Sequence, residues 1–301
     1  MKIIASKNSK NLAQKISQLL DCDFVEANAY KFDNGEVCIK GLSVCDEEVV
    51  IVASLYPDIH DNLMETFFLI DAVRRSGENE VILVAPYIPY SRQDRDEEFS
   101  GFSTILNILN VLGVSKVVTL DIHSNRLHEL SAAVNIEELT SMDIISGYIK
   151  SHLSIDMLVS ADAGRSDFIK TLSNKVGLPY ALLSKVRNQD TTCNSVIIQG
   201  EVEGKSLLIV DDIVDSGHTL KSAAEILLAS GAKNIDAFVT HGVLAERSID
   251  LMQNAGIRSL TITDSINNMD FHSNWVSVIS IVEIIATNIK KQAHYEARVF
   301  I

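Results

Sequence analysis

The chain has 301 residues, 47 % of them hydrophobic, and a formal net charge of −14. That length suits two domains better than one hydrophobic core. The acidic balance argues against sequence-independent nucleic-acid binding, which needs a basic surface, and no apolar run is long enough to span a bilayer.

Strands and helices alternate along the chain. Met1–Ser6 opens with a short apolar strand, and Asn11–Leu20 follows with Leu12, Ile16, Leu19 and Leu20 on one helical face. Glu47–Ala53 predicts a strand, Asp61–Arg75 a helix, Val81–Pro86 a strand, Phe102–Leu112 a helix and Lys116–Leu120 a strand. Then come helix Met142–Leu153, strand Met157–Ser160, helix Ser166–Val176 and strand Tyr180–Leu183. Strand Ile235–Thr240, helix Glu246–Ala255, strand Ser259–Ile262, strand Val276–Ser280 and helix Ile281–Lys291 complete the chain. Such alternation implies parallel sheets covered on both faces. Arg75–Pro86, Leu112–Asp121 and Ala229–His241 share one plan: a helix end, a glycine, a turn and a buried strand. The expectation is an α/β chain of two similar doubly wound domains, 1–145 and 146–301. No signal peptide is expected at its start. Cys22, Cys38, Cys45 and Cys193 lack CxxC spacing and read as reduced thiols of a cytoplasmic protein.

The chain is organised around Ser206–Thr219, SLLIVDDIVDSGHT. Ser206–Val210 reads as a buried strand with Asp211 and Asp212 at its carboxyl end. Asp215, Ser216, Gly217, His218 and Thr219 form a short polar turn. A helix follows through Leu220, Ala223, Ala224, Leu227 and Leu228, with Gly231 as its cap. A turn of this kind aims backbone N–H groups and a positive helix end at one point, which suits a phosphate. Two ionised carboxylates only accept hydrogen bonds, so they suit sugar hydroxyls beside that phosphate. The bland alternative is a βα turn with solvated acids.

Other polar clusters fall where strands end, which is where ligands bind in open α/β sheets. Arg92, Gln93, Asp94 and Arg95 follow Val81–Pro86, and arginine offers planar donors for phosphate. His123 ends Lys116–Leu120, and Asp162 ends Met157–Ser160. Lys185 and Arg187 begin a polar stretch that runs to Asn194 and is expected to form a mobile loop. Phe32-Asp33-Asn34-Gly35-Glu36 carries an Asn-Gly hairpin signal.

The Asp-Asp loop resembles the phosphoribosyl-pyrophosphate loop of type I phosphoribosyltransferases and of ribose-phosphate pyrophosphokinases. The likeness to the second group becomes specific at Asp61–Glu65 (DNLME), at the RQDR run and at Asp162-Ala163-Gly164, in the same order and near the same spacings. That resemblance implies a phosphoribosyltransferase-like fold and transfer of the pyrophosphoryl group of ATP to ribose 5-phosphate. Lys185 and Arg187 would be catalytic. Phe32 would stack on the adenine of a neighbouring subunit, with Asn34 and Glu36 reading its edge. Arg92, Gln93, Asp94, Arg95 and His123 would hold ATP, and His123 and Asp162 would serve Mg²⁺. Asp211, Asp212, Asp215, Ser216, Gly217, His218 and Thr219 would hold ribose 5-phosphate. A homo-oligomer, a dimer-built hexamer, is implied as well. Other readings are a phosphoribosyltransferase and a non-catalytic, synthetase-associated regulatory subunit. The chain departs from the family at the acidic run 96–98, at Gly101-Phe102-Ser103, at Arg165 in place of a second glycine, and at His218.

Overall fold

The computed structural model describes residues 1–42, 44, 48–77, 80–93, 100–123, 134–152, 154–187, 194–267 and 274–299. The chain divides into two units. The first is Met1–Thr140 with Asp264–Asn267 and Ser280–Ile301, and the second is Ser141–Thr263 with Asn268–Ile279. Among the described residues no helix is long and apolar enough to cross a membrane.

The first unit runs β1 (Lys2–Ala5), α1 (Lys10–Leu20), β2 (Asp23–Glu26), β3 (Asn28–Lys31), β4 (Val37–Lys40) and β5 (Val49–Val52). It continues through α2 (Ile59–Arg75), β6 (Val81–Val84), α3 (Gly101–Val111), β7 (Val114–Leu120) and β8 (Asn135–Leu139). The sheet order is β2-β1-β5-β6-β7-β8, with every pairing parallel. Strands β5 (VVIV) and β6 (VILV) are buried at every position. That continuous burial is the signature of a sheet covered on both faces. The Asn-Gly signal is borne out: β3 and β4 pair antiparallel, Phe32 N–H donates to Glu36 O at 2.8 Å, and Gly35 takes φ +93.

The second unit runs α4 (Met142–Ser151), β9 (Met157–Ser160), α5 (Ser166–Val176), β10 (Tyr180–Arg187), β11 (Asn194–Gln199) and β12 (Ser206–Val214). It ends with α6 (His218–Ala229), β13 (Asn234–Gly242), α7 (Ser248–Asn254), β14 (Ser259–Thr263) and β15 (Val276–Ile279). Its sheet order is β11-β10-β9-β12-β13-β14-β15, with only β11 antiparallel among these strands. The chain steps outward from β9 to β10 on one side and to β12 on the other. The strand order therefore reverses between β9 and β12, the place where an open α/β sheet offers a ligand crevice at the carboxyl ends of its strands. The last helix, α8 (Val282–Val299), belongs to the first unit, where it packs on α1 and buries Ile285, Ala286 and Ile289.

The α/β class with mostly parallel sheets is as expected, and three local expectations are corrected. First, Lys185 and Arg187 lie in β10, paired with Val196 and Asn194 of β11, and not in a loop. Ladder hydrogen bonds to β11 hold this polar segment where apolar burial would not. Second, β12 extends to Val214, so Asp211 and Asp212 sit within the strand. Third, α6 starts at His218, placing His218 and Thr219 in its first turn. Gly231 does follow α6 as its cap, at φ +87.

Asn62 and Glu65 of the DNLME segment are buried and tie α2 to the turn after β1. Glu65 Oε1 accepts Lys7 N–H at 2.6 Å, and Asn8 Nδ2 donates to Asn62 Oδ1 at 2.8 Å. These residues also line a polar pocket of about 130 Å³ in the first unit, with Lys31, Asp58 and Asp61. Leaving a buried donor unsatisfied costs about 1–3 kcal/mol. Glu65→Ala should therefore lower the melting temperature by several degrees, and Glu65→Gln should recover most of the loss. Equal melting curves for wild type and Glu65→Ala would show that the Lys7 contact contributes nothing.

Candidate active site

The second unit's site begins at the end of β12. Leu207–Val210 are buried on both faces of the strand and anchor it in the core, and the burial carries on into two acids. Asp211 and Asp212 are only 8 % and 2 % exposed. Asp211 Oδ1 accepts the N–H of Asp212 at 3.0 Å. Burial first, then the neighbouring Asp212 charge, pushes the Asp211 carboxyl up to about 8, against a softer opposing pull from Arg165. The two acids thus behave as a pair that holds a proton near neutrality.

The chain then turns through Asp215, Ser216 and Gly217 into α6. Gly217 adopts φ +79, and a Cβ there would meet Met252 Cγ and Ser248 O at 3.1 Å, so both conformation and space require glycine. The first bond of the helix is Lys221 N–H to Gly217 O at 2.9 Å. The N–H groups of His218, Thr219 and Leu220 precede it, and the N-cap residue, Gly217, has no side chain to cap them. Unsatisfied N–H groups and the helix dipole make such an end suited to an anion. Ser216, His218 and Thr219 are exposed there.

Asp162 stands exposed after β9, the strand beside β12. Its Oδ1 accepts Gly164 N–H at 3.0 Å. Arg165, three residues on, reaches Asp212: its Nη1 lies 3.2 Å from Asp212 Oδ2. The Arg165 guanidinium also sits 4.4 Å over the Phe168 ring. This contact was not legible from motif spacing, where Arg165 showed only as a departure from glycine.

The first unit carries the remaining candidates. Phe32 is 48 % exposed near the hairpin turn, edge-on to Tyr30 with ring centroids 4.9 Å apart. Asn34 Oδ1 accepts Glu36 N–H at 3.1 Å, so Asn34 shapes the turn itself. Arg92 is exposed, and Gln93 Oε1 accepts Gly101 N–H at 2.9 Å at the start of α3. His123 is exposed beyond the end of β7. Asp94 and Arg95 lie outside the described residues. His123 and Asp162 fall in different units, and no cluster of three or more His, Cys, Asp or Glu side chains able to hold a metal ion occurs among the described residues.

A parallel sheet whose strand order reverses, an acid pair within its central strand and a glycine turn into a helix start together suit a phosphoribosyl-handling α/β protein. Comparison with known proteins agrees. Residues 1–113 match the family described as the N-terminal domain of ribose phosphate pyrophosphokinase, and residues 133–272 match the phosphoribosyl transferase domain. The chain belongs to the ribose-phosphate pyrophosphokinase family. It is 33 % identical to the ribose-phosphate pyrophosphokinase of Thermosipho africanus, covering 94 % of this chain and 90 % of the relative. It is 31 % identical to that of Rhizobium meliloti, covering 88 % and 87 %. The crystal structure of phosphoribosylpyrophosphate synthetase from Mycobacterium smegmatis superposes with a TM-score of 0.89 at 25 % identity, covering 98 % of this chain and 99 % of that one.

The acid pair gives a pH signature. Folded Asp211 keeps its proton up to about 8, whereas the unfolded group releases it near 3.8. Between those values the folded state binds more protons, so stability falls as pH rises through the window. Asp211→Asn should flatten that slope in urea melts taken between pH 5 and pH 8. A slope identical in the variant and the wild type would place the titration elsewhere.

Proposed function

We propose that the chain transfers the pyrophosphoryl group of Mg-ATP to the anomeric hydroxyl of ribose 5-phosphate, giving 5-phosphoribosyl 1-pyrophosphate and AMP. As a ribose-phosphate pyrophosphokinase family member it is an enzyme of the transferase class. The observation that carries the reading is the acid pair followed by a glycine turn into a helix start, Asp211–Thr219, at the reversal point of the second sheet.

In this reading the 5-phosphate docks on the N–H groups from Ser216 to Thr219, with Asp215 at the loop's entrance. Asp211 and Asp212 receive the ring hydroxyls. The anomeric oxygen attacks the β-phosphorus, the bond from that phosphorus to the α,β-bridging oxygen breaks, and AMP departs with that oxygen. The hydroxyl proton is released to solvent. Such transfers rely on positioning and charge neutralisation more than on covalent help. Lys185 and Arg187 are assigned to the charge on the group in transfer. Arg92, Arg95 and His123 hold the polyphosphate, with Gln93 and Asp94 supporting that loop, while Phe32, Asn34 and Glu36 serve adenine. Asp162 fits Mg²⁺, since it offers a hard, exposed carboxylate oxygen and this ion keeps most of its waters. His123 is a poor donor for Mg²⁺ by the same chemistry and suits a phosphate oxygen better. The ion, when bound, neutralises polyphosphate charge.

The exposed Phe32 near a hairpin turn supports the further proposal that adenine is completed by a neighbouring subunit of a homo-oligomer, a dimer-built hexamer. Free thiols at Cys22 and Cys38 fit a cytoplasmic setting. One observation favours a second reading, a regulatory subunit without turnover: Arg165 covers an acid that the reaction needs.

Product analysis separates these readings. ATP and ribose 5-phosphate without a nucleobase should yield AMP and 5-phosphoribosyl 1-pyrophosphate; a chain that turns over only with a nucleobase is a phosphoribosyltransferase, and one that is inert alone is regulatory. Removing a preorganised stabilising group costs about 10²–10³ in turnover. Lys185→Ala and Arg187→Ala should each lose that much while calorimetric binding of both substrates changes little, and the double variant should lose less than the product of the two. Near-normal turnover in both single variants would remove β10 from the chemistry. Mass in solution tests the assembly, and a fully active monomer rules out the shared adenine site.

A further inference from the structure

Asp212 is closed to ligands by the chain itself. It is buried, and Arg165, whose side chain is only 13 % exposed, holds its Oδ2 at 3.2 Å. The sugar reading requires that oxygen to accept from a hydroxyl. A neutral hydroxyl is a weaker partner for a buried carboxylate than a guanidinium, so sugar and arginine cannot be equal claimants. The guanidinium is nevertheless incompletely satisfied where it rests. Its Nε is buried with no hydrogen-bond partner, and its other named contact is the face of Phe168. A donor left unpaired makes a position easier to vacate. Arg165 also ends the short turn Ala163–Arg165, next to exposed Asp162 and Gly164. Side-chain rotation at this rim can carry the guanidinium to water without moving β9 or β12.

We propose that Arg165 is an affinity-setting residue of the sugar site: it competes with the ring hydroxyls of ribose 5-phosphate for Asp212 and so weakens sugar binding in the resting protein. This inference rests on the assignment of Asp212 to the sugar. The ion pair joins the turn after β9 to β12, neighbours whose register places Ser160 beside Val210, so the competition sits at the sheet's reversal point.

The test is calorimetric titration of the whole chain with ribose 5-phosphate. Arg165→Met keeps an apolar stem on Phe168 and removes the charge. It should bind ribose 5-phosphate about tenfold more tightly, the effect of losing one competing ion pair. Arg165→Lys, which still neutralises Asp212 but lacks the planar fork, should fall between wild type and Arg165→Met, and it carries the test should the methionine variant fail to fold. Affinity equal to or weaker than wild type, in whichever of these variants folds, overturns the proposal. Adding Asp212→Asn to the Arg165→Met or Arg165→Lys chain should erase the gain. If the gain survives without the Asp212 carboxylate, the assignment of Asp212 to the sugar is what fails; if no gain occurs while Asp212→Asn alone weakens binding, only the competition fails.

Discussion

Two carboxylates buried side by side at the end of a parallel strand are costly, and the second unit is arranged to tolerate them. Desolvation and mutual repulsion both act against the charged forms. The fold answers with one proton retained on Asp211, one backbone donor to its Oδ1 and one guanidinium on Asp212. A ligand that brings hydroxyl donors supplies the same compensation from outside. Under the proposed assignment, binding would be an exchange of partners around carboxyls that are already desolvated, not their first burial.

The two sets of candidate residues are built differently. On the second unit the candidates for the phosphate are main-chain N–H donors fixed by Gly217 and by the helix start, where Met252 and the carbonyl of Ser248 leave little room for a Cβ. On the first unit the candidates are exposed side chains near turns and strand ends, Phe32, Arg92 and His123. Backbone donors hold their geometry through the fold.

Much of this was legible in the sequence, for identifiable reasons. Strands such as VVIV and VILV are buried on both faces, so their composition alone marks them. Edge strands are not so marked: β2 (DFVE) and β8 (NIEEL) mix charge with apolar residues because one side of each faces water. Lys185 and Arg187 read as the start of a loop because the stretch to Asn194 is polar, and ladder bonding to β11 overrides that composition for them. Asp211 and Asp212 announced themselves by following a buried strand. That Arg165 lands on one of them did not, because the contact depends on which strands are neighbours and on their register, which local spacing does not encode. Glu65 likewise read as part of a motif, whereas its carboxylate serves the backbone of Lys7.

The return of the chain to its own beginning bears on how the protein is made. Residues 1–140 form most of the first unit, yet α8 is drawn from the last twenty residues and packs on α1. During synthesis every strand of the second unit is translated before α8. The part that is translated first is thereby the part that is finished last, and the apolar face of α1 waits through the whole of elongation for Ile285, Ala286 and Ile289 to cover it.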